Sequence, residues 1–211
     1  MTPILSLSSG SNFVEARKND PRYKDVFTFI DSYDLPNVDL SPYIAITVPN
    51  LIDQEFMYKH RDIIRNFLNE GKVLSFSGHL FREWIPGASN FLPRTIRTHH
   101  DYEVSVVTAH PIFEGVRTED LTFNKGVAGF FARGHHPAPA GAEILLSLPG
   151  GEPVVYIDRQ STKGTIFVHS GNDLFGYGNP AQTSWKIGHQ LVAWIREEHQ
   201  RLQQTREALQ A

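Results

Sequence analysis

Between Tyr43 and Phe76 the chain alternates buried-looking and amphipathic segments with almost no linker. Tyr43–Val48 is a short apolar run bounded by Pro42 and Pro49-Asn50, the pattern of a buried strand. Ile52, Phe56, Ile63, Ile64, Phe67 and Leu68 then share one face of a 3.6-residue period, which predicts a helix over Asp53–Glu70. Asp53 and Glu55 suit the first turn of such a helix, and Gly71 suits the position just past its end. Val73–Phe76 follows at once as a second strand. Parallel neighbours need a crossover, and a helix is the shortest way to make one, so strand, helix and strand in this order predict a parallel sheet.

The remaining segments extend that pattern. Pro3–Ser8 reads as a buried strand running into the small polar loop Ser8–Asn12, and Asp25–Ile30 as another strand. His79–Thr98 is rich in Pro, Gly and aromatic residues and reads as loop with short helical pieces; Tyr102–Thr108 alternates like a strand. His110–Val116 is turn-rich, and Phe123–Arg133 has no clear period. Three strands then come in quick succession at Glu143–Leu148, Pro153–Asp158 and Thr165–His169, with Gly150-Gly151 and Lys163-Gly164 as turns. A last helix is expected over Ser184–Leu209, with Gly188, Leu191, Val192, Ile195 and Leu202 as its buried stripe. Its polar end, Gln203–Ala211, either frays or serves a homo-oligomer contact.

The expected architecture is one α/β domain over residues 1–211: a flavodoxin-like open, mainly parallel sheet with helices on both faces and an antiparallel edge. Sheets of this kind bind ligands at the carboxyl ends of their strands. That singles out Ser8–Asn12, Pro49–Leu51, Ser77–Trp84 and His169–Gly176.

Composition narrows the function classes. There is no cysteine, which excludes disulfides, thiolate metal sites and a cysteine nucleophile. The net charge is -3 with histidine neutral, and Lys and Arg form no cluster, so nucleic acid is not an expected partner. No apolar run is long enough to span a bilayer, so no membrane role is expected. The first ten residues read as a strand and not a signal peptide, which makes the cytoplasm the expected location.

Val73–Phe76 running into Ser77-Gly78-His79 is a strand followed by a sharp turn. This triplet resembles the Ser-Gly-His of the ThuA-like (trehalose-utilisation) branch of the class I glutamine amidotransferase-like superfamily. Other segments follow in the family's order. His99-His100 precedes a strand. His110–Val116 resembles the family's His-Pro segment with its Glu and Gly, and Glu152–Tyr156 its Glu-Pro-Val strand. Lys163–Val168 with His169–Asp173 resembles its Lys-Gly strand and glycine-containing loop. The resemblance covers about Tyr43 to Gly176. It departs at Gly171-Asn172, where the family usually has Gly-His. It implies an amidotransferase-like fold and a sugar-related small-molecule ligand. The turn at Ser77 stands where the superfamily carries its nucleophile elbow, and without cysteine this chain is no glutaminase.

Two readings of the loop residues stay open. In one the chain is an enzyme, a hydrolase, isomerase or lyase. His79, His169 and Asp173 then form its acid–base set, and Ser77, Gly78, Arg133, His135, His136 and Asn172 hold the substrate. No metal ligand is assigned and no cofactor is expected, although His79 and His169 with Asp173 or Glu83 could take a divalent metal. In the other, the chain is a non-catalytic module that binds a ligand or a protein partner.

Overall fold

The structure is a computed structural model that describes residues 3–209. The final two residues of the polar tail therefore lie outside the described part. Eight strands form one open sheet: β1 (Ile4–Ser8), β2 (Phe27–Asp31), β3 (Ala45–Val48), β4 (Val73–Ser77), β6 (Ser105–Val106), β10 (Glu143–Leu148), β11 (Glu152–Asp158) and β12 (Thr165–His169). Their order is β2-β1-β3-β4-β12-β11-β10-β6. From β2 to β12 the neighbours run parallel; β11, β10 and β6 add an antiparallel edge. This is the open α/β sheet that the βαβ reading predicts.

Side chains alternate cleanly across the sheet, so each strand feeds two cores. Leu5, Leu7, Ile46, Val48, Leu74, Phe76, Ile166 and Val168 face one side, under α2 (Gln54–Lys59) and α3 (Arg61–Asn69), which contribute Met57, Ile64, Phe67 and Leu68. Ile4, Ala45, Val73, Phe167, Val155 and Ile157 face the other, under α6 (Ile187–Ala208), which contributes Leu191, Val192, Ile195 and Leu202. On that second face Ser6, Thr47 and Ser75 are in register across β1, β3 and β4, giving it a buried strip of small hydroxyl side chains.

The helix expected over Asp53–Glu70 is two helices. Asp53 caps the first, its carboxylate accepting the Phe56 N–H at 3.0 Å, and the backbone leaves the helical basin at His60 (φ −107°, ψ 18°). The apolar period runs through the break, so periodicity alone does not reveal it. Gly71 ends α3 with φ +77° and donates to the Leu68 carbonyl, as its position foretells. A further helix, α1 (Asn12–Lys18), starts at the end of the expected Ser8–Asn12 loop, in a stretch to which the sequence pattern assigns no element. The strand expected over Tyr102–Thr108 shrinks to the two-residue β6.

The unpatterned stretch Phe123–Arg133 opens with a small hairpin, β7 (Phe123–Asn124) and β8 (Val127–Ala128), after the short helix α4 (Thr118–Thr122). A second pair, β5 (Leu92–Pro93) and β9 (Gly134–His135), ties the two long loops together. The single-turn helix α5 (Leu174–Tyr177) follows β12.

On the second face α6 is fastened by charge as well as by its apolar stripe. Glu198, buried in mid-helix, accepts from Arg159, Arg201 and Thr165. Burial opposes its charge, but those hydrogen bonds outweigh burial and push its carboxyl down to about 2. Among the described residues no helix is long and apolar enough to cross a membrane.

Candidate functional site

Because β1, β3, β4 and β12 run parallel, Ser8, Val48, Ser77 and His169 finish on one edge of the sheet. The four loops expected to matter are therefore neighbours. The turn after β4 needs glycine: Gly78 has φ +151°, and a Cβ there would lie 3.1 Å from the Phe76 ring and 3.2 Å from the Asn50 Cα. Its N–H donates to the His169 carbonyl at 3.0 Å, carrying the β4–β12 ladder into the loop. Gln54 at the start of α2 holds the next stretch, donating to the His79 carbonyl at 2.6 Å and accepting the Phe81 N–H at 2.8 Å.

Three of the predicted histidines gather here. His79 is exposed and stacked on Phe91, centroids 3.8 Å apart. Phe91 lies 5.5 Å from the ring of His136, which is fully buried. His169 is fully buried too, its ring 4.5 Å from Phe131. Partial desolvation, and then the neighbouring Arg133 charge, lowers the pKa of His79. Burial drives both His136 and His169 down to about 3. All three rings are thus neutral at pH 7.

The hydrogen bonds of His136 settle its tautomer. Its Nε2 accepts the Leu80 N–H at 3.0 Å, so the proton is on Nδ1, which faces Ser170 Oγ at 2.7 Å. Nδ1–H is a donor to that hydroxyl and cannot take its proton, so the contact is a clasp between the β4 and β12 loops and not a nucleophile–base pair. Neither ring nitrogen of His169 closes a well-aligned hydrogen bond, although the nearby Asn172 and Phe131 backbone groups oppose the effect of burial.

Asp173 takes a different place. Its carboxylate lies 3.0 Å from Arg17 Nη1, with both side chains buried, and it caps α5. Arg17 also donates through Nη2 to Ser6 Oγ, and its guanidinium lies over the rings of Phe27, Phe29 and Phe175. The narrow serine of the hydroxyl strip leaves room for it on the sheet.

This ion pair lines a cavity of about 590 Å³ between α1, the β7–β8 hairpin and the loop after β12. Asn172, Asn124, Tyr177 and Trp185 line it as well. Arg22 covers the indole of Trp185 at 3.5 Å while holding Asp20 through two nitrogens. Asn172 is tied back on both sides, accepting from Asn50 and donating to the Phe130 carbonyl.

The other predicted residues have local partners. Ser77 is buried at the end of β4. Arg133 donates Nε to the Gly129 carbonyl within its own loop. His135 is half-buried in β9, 3.6 Å from Glu152. The structure brings His79, His136 and His169 together, with Asp173 and Asn172 facing the adjacent cavity. Among the described residues no three His, Asp or Glu side chains are placed to hold a metal ion. Sequence reasoning misses Arg17, Arg22, Asn124, Tyr177 and Trp185, which carry no motif and converge only through tertiary structure.

No protein-family model matches the chain, and no curated protein matches it in sequence. Solved structures do share its fold. Cytoplasmic protein STM1381 from Salmonella typhimurium LT2 matches with TM-score 0.58 at 11% identity, over 93% of this chain and 99% of its own. Cytoplasmic protein STM3548 from Salmonella typhimurium matches with TM-score 0.58 at 10% identity, over 92% and 99%. The exo-beta-1,4-mannosidase Op5Man5 from Opitutaceae bacterium strain TAV5 matches with TM-score 0.50 at 12% identity, over 93% of this chain but 36% of its own. At such identities the likeness is one of fold, which the two Salmonella proteins share along almost their whole length.

Proposed function

We propose that this chain is a small-molecule-binding domain of the ThuA-like, amidotransferase-like type, without glutaminase chemistry, that takes a sugar-like polyhydroxylated ligand. The observation that carries the reading is the cavity at the carboxyl edge, which Trp185, one face covered by Arg22, lines together with two amides and a carboxylate. Flat aromatic rings suit the apolar faces of a sugar, and Asn124, Asn172 and Asp173, each already bonded within the protein, keep a second N–H or lone pair for its hydroxyls. The order of the family-like segments from Tyr43 to Gly176 supports the fold assignment. The names of the two Salmonella neighbours agree with a cytoplasmic setting.

The test is calorimetric titration with aldoses, alditols and sugar acids, alongside mass spectrometry of molecules that copurify. Binding is expected, and Trp185→Ala should raise Kd about tenfold, the equivalent of about 1.4 kcal/mol. A panel that gives no heat, with nothing copurifying, would refute this reading.

One observation favours catalysis as a second reading: His79 offers an exposed, unprotonated imidazole at the tip of β4. If it is a general base, His79→Gln abolishes turnover of a bound ligand and leaves its Kd within about threefold. Turnover that survives the change removes His79 from the chemistry.

A further inference from the structure

The walls of the cavity are unequally charged. Arg17, Arg22 and Lys125 line it with Asp20 and Asp173. Two of the cations are spoken for: Arg17 lies 3.0 Å from Asp173, and Arg22 grips Asp20 at 2.6 Å. Lys125 makes no ion pair among the described residues, so the lining carries one uncompensated positive charge in a chain whose net charge is -3.

Lys125 and Gly126 form the two-residue loop of the β7–β8 hairpin with φ of 51° and 78°, the left-handed pair that a tight hairpin requires. Asn124, just before the loop, donates its side-chain amide to the Tyr177 carbonyl at 3.0 Å, which anchors the hairpin to the opposite wall. Below, Arg17 leaves its Nε–H without an acceptor although the residue is only 2% exposed. The cavity therefore lacks a negative charge for the ammonium.

Resting on the reading of this cavity as a ligand site, we propose that the ligand carries an anionic group, a carboxylate or a phosphate ester, and that Lys125 is its counter-ion. The hydroxylated part of the molecule lies along Trp185 and the amides. The anionic oxygens meet the hairpin tip, where the exposed Lys125 ammonium gives a charge-assisted contact.

Two matched probe pairs test this: D-gluconate against D-glucitol, and glucose 6-phosphate against glucose. Each is titrated calorimetrically into the wild-type protein and into Lys125→Gln, at about 20 mM and about 300 mM salt, because screening weakens a partly exposed charge contact. The wild type should prefer the charged member of at least one pair tenfold or more. That preference should shrink at high salt and fall below about threefold in Lys125→Gln. Equal affinity for the charged and uncharged members, or a preference that survives Lys125→Gln, overturns the charge assignment and leaves the cavity reading standing. If no probe binds, the cavity reading falls and this proposal with it.

Discussion

Asp173→Asn should cost this protein about 3–5 kcal/mol of folding stability, the typical penalty for leaving one partner of a buried ion pair uncompensated. The side chains of Arg17 and Asp173 are 1% and 7% exposed, so water cannot screen the guanidinium once its carboxylate is gone. Asparagine keeps the size of the side chain and its ability to cap α5, so the substitution isolates the charge. The three aromatic rings around Arg17 and the Ser6 hydroxyl soften the loss, but neither supplies a counter-charge. Urea denaturation followed by circular dichroism gives the measurement. A drop of under about 1 kcal/mol would show that the pair is not a stability element. The double change Arg17→Met with Asp173→Asn should recover much of the loss, since it removes the stranded charge. Total stabilities of about 5–15 kcal/mol are usual for single domains, so the single variant should sit near the edge of folding.

Acidification between pH 7 and pH 5 should be the second large effect. His136 and His169 are buried neutral, with pKa values near 3 in the folded chain. Unfolded, each titrates near its ordinary value of about 6.5. Between those values the unfolded chain binds more protons than the folded one, so stability falls as pH drops below about 6.5 and goes on falling toward 3. Each ring contributes about 1.4 kcal/mol per pH unit in that window, and the two together about 4 kcal/mol between pH 7 and 5. His79, His110 and His199 are lowered in the same direction and add to the slope. Glu198 enters later, because its depressed carboxyl gives up its stabilising charge only as pH falls from its unfolded range toward 2. Urea midpoints at pH 7, 6 and 5 should fall steadily, and His169→Leu should remove close to half of the slope due to the two buried rings. A midpoint that stays flat across this range would contradict the buried neutral state of both.

The frame of the sheet was legible because period and burial agree there. Val73–Phe76 and Thr165–His169 are buried along their length and Glu143–Leu148 over its last four residues, and the glycines that end or join them occupy positions only glycine takes easily. Where a buried position is polar, the pattern fails. Arg17 occupies an inward position of α1 one turn after Val14, so the apolar stripe that would announce a helix is interrupted by a charge. The hairpin at Lys125-Gly126 lacks the Asn-Gly or Asp-Gly pair that marks such turns, and it escaped for that reason. The histidines were visible as a group because three of them lie in or beside loops on the strand-tip edge. The burial of His136 and His169 was not visible, since it depends on Phe91 and Phe131, rings supplied by distant loops. The cavity was least legible: α1, the hairpin and the residues after β12 each contribute a wall, and no window of sequence holds more than one.

The order of the strands also bears on how the chain behaves while it is being made. β4 is central in the finished sheet, between β3 and β12, yet β12 is the last strand to leave the ribosome. Until residues 165–169 have been synthesised, the apolar run Val73-Leu74-Ser75-Phe76-Ser77 has one side of its backbone without its native partner. A nascent chain of this topology carries a sticky sheet margin for as long as the segment between β4 and β12 is being synthesised, when strand-to-strand pairing between neighbouring polypeptides is the main hazard.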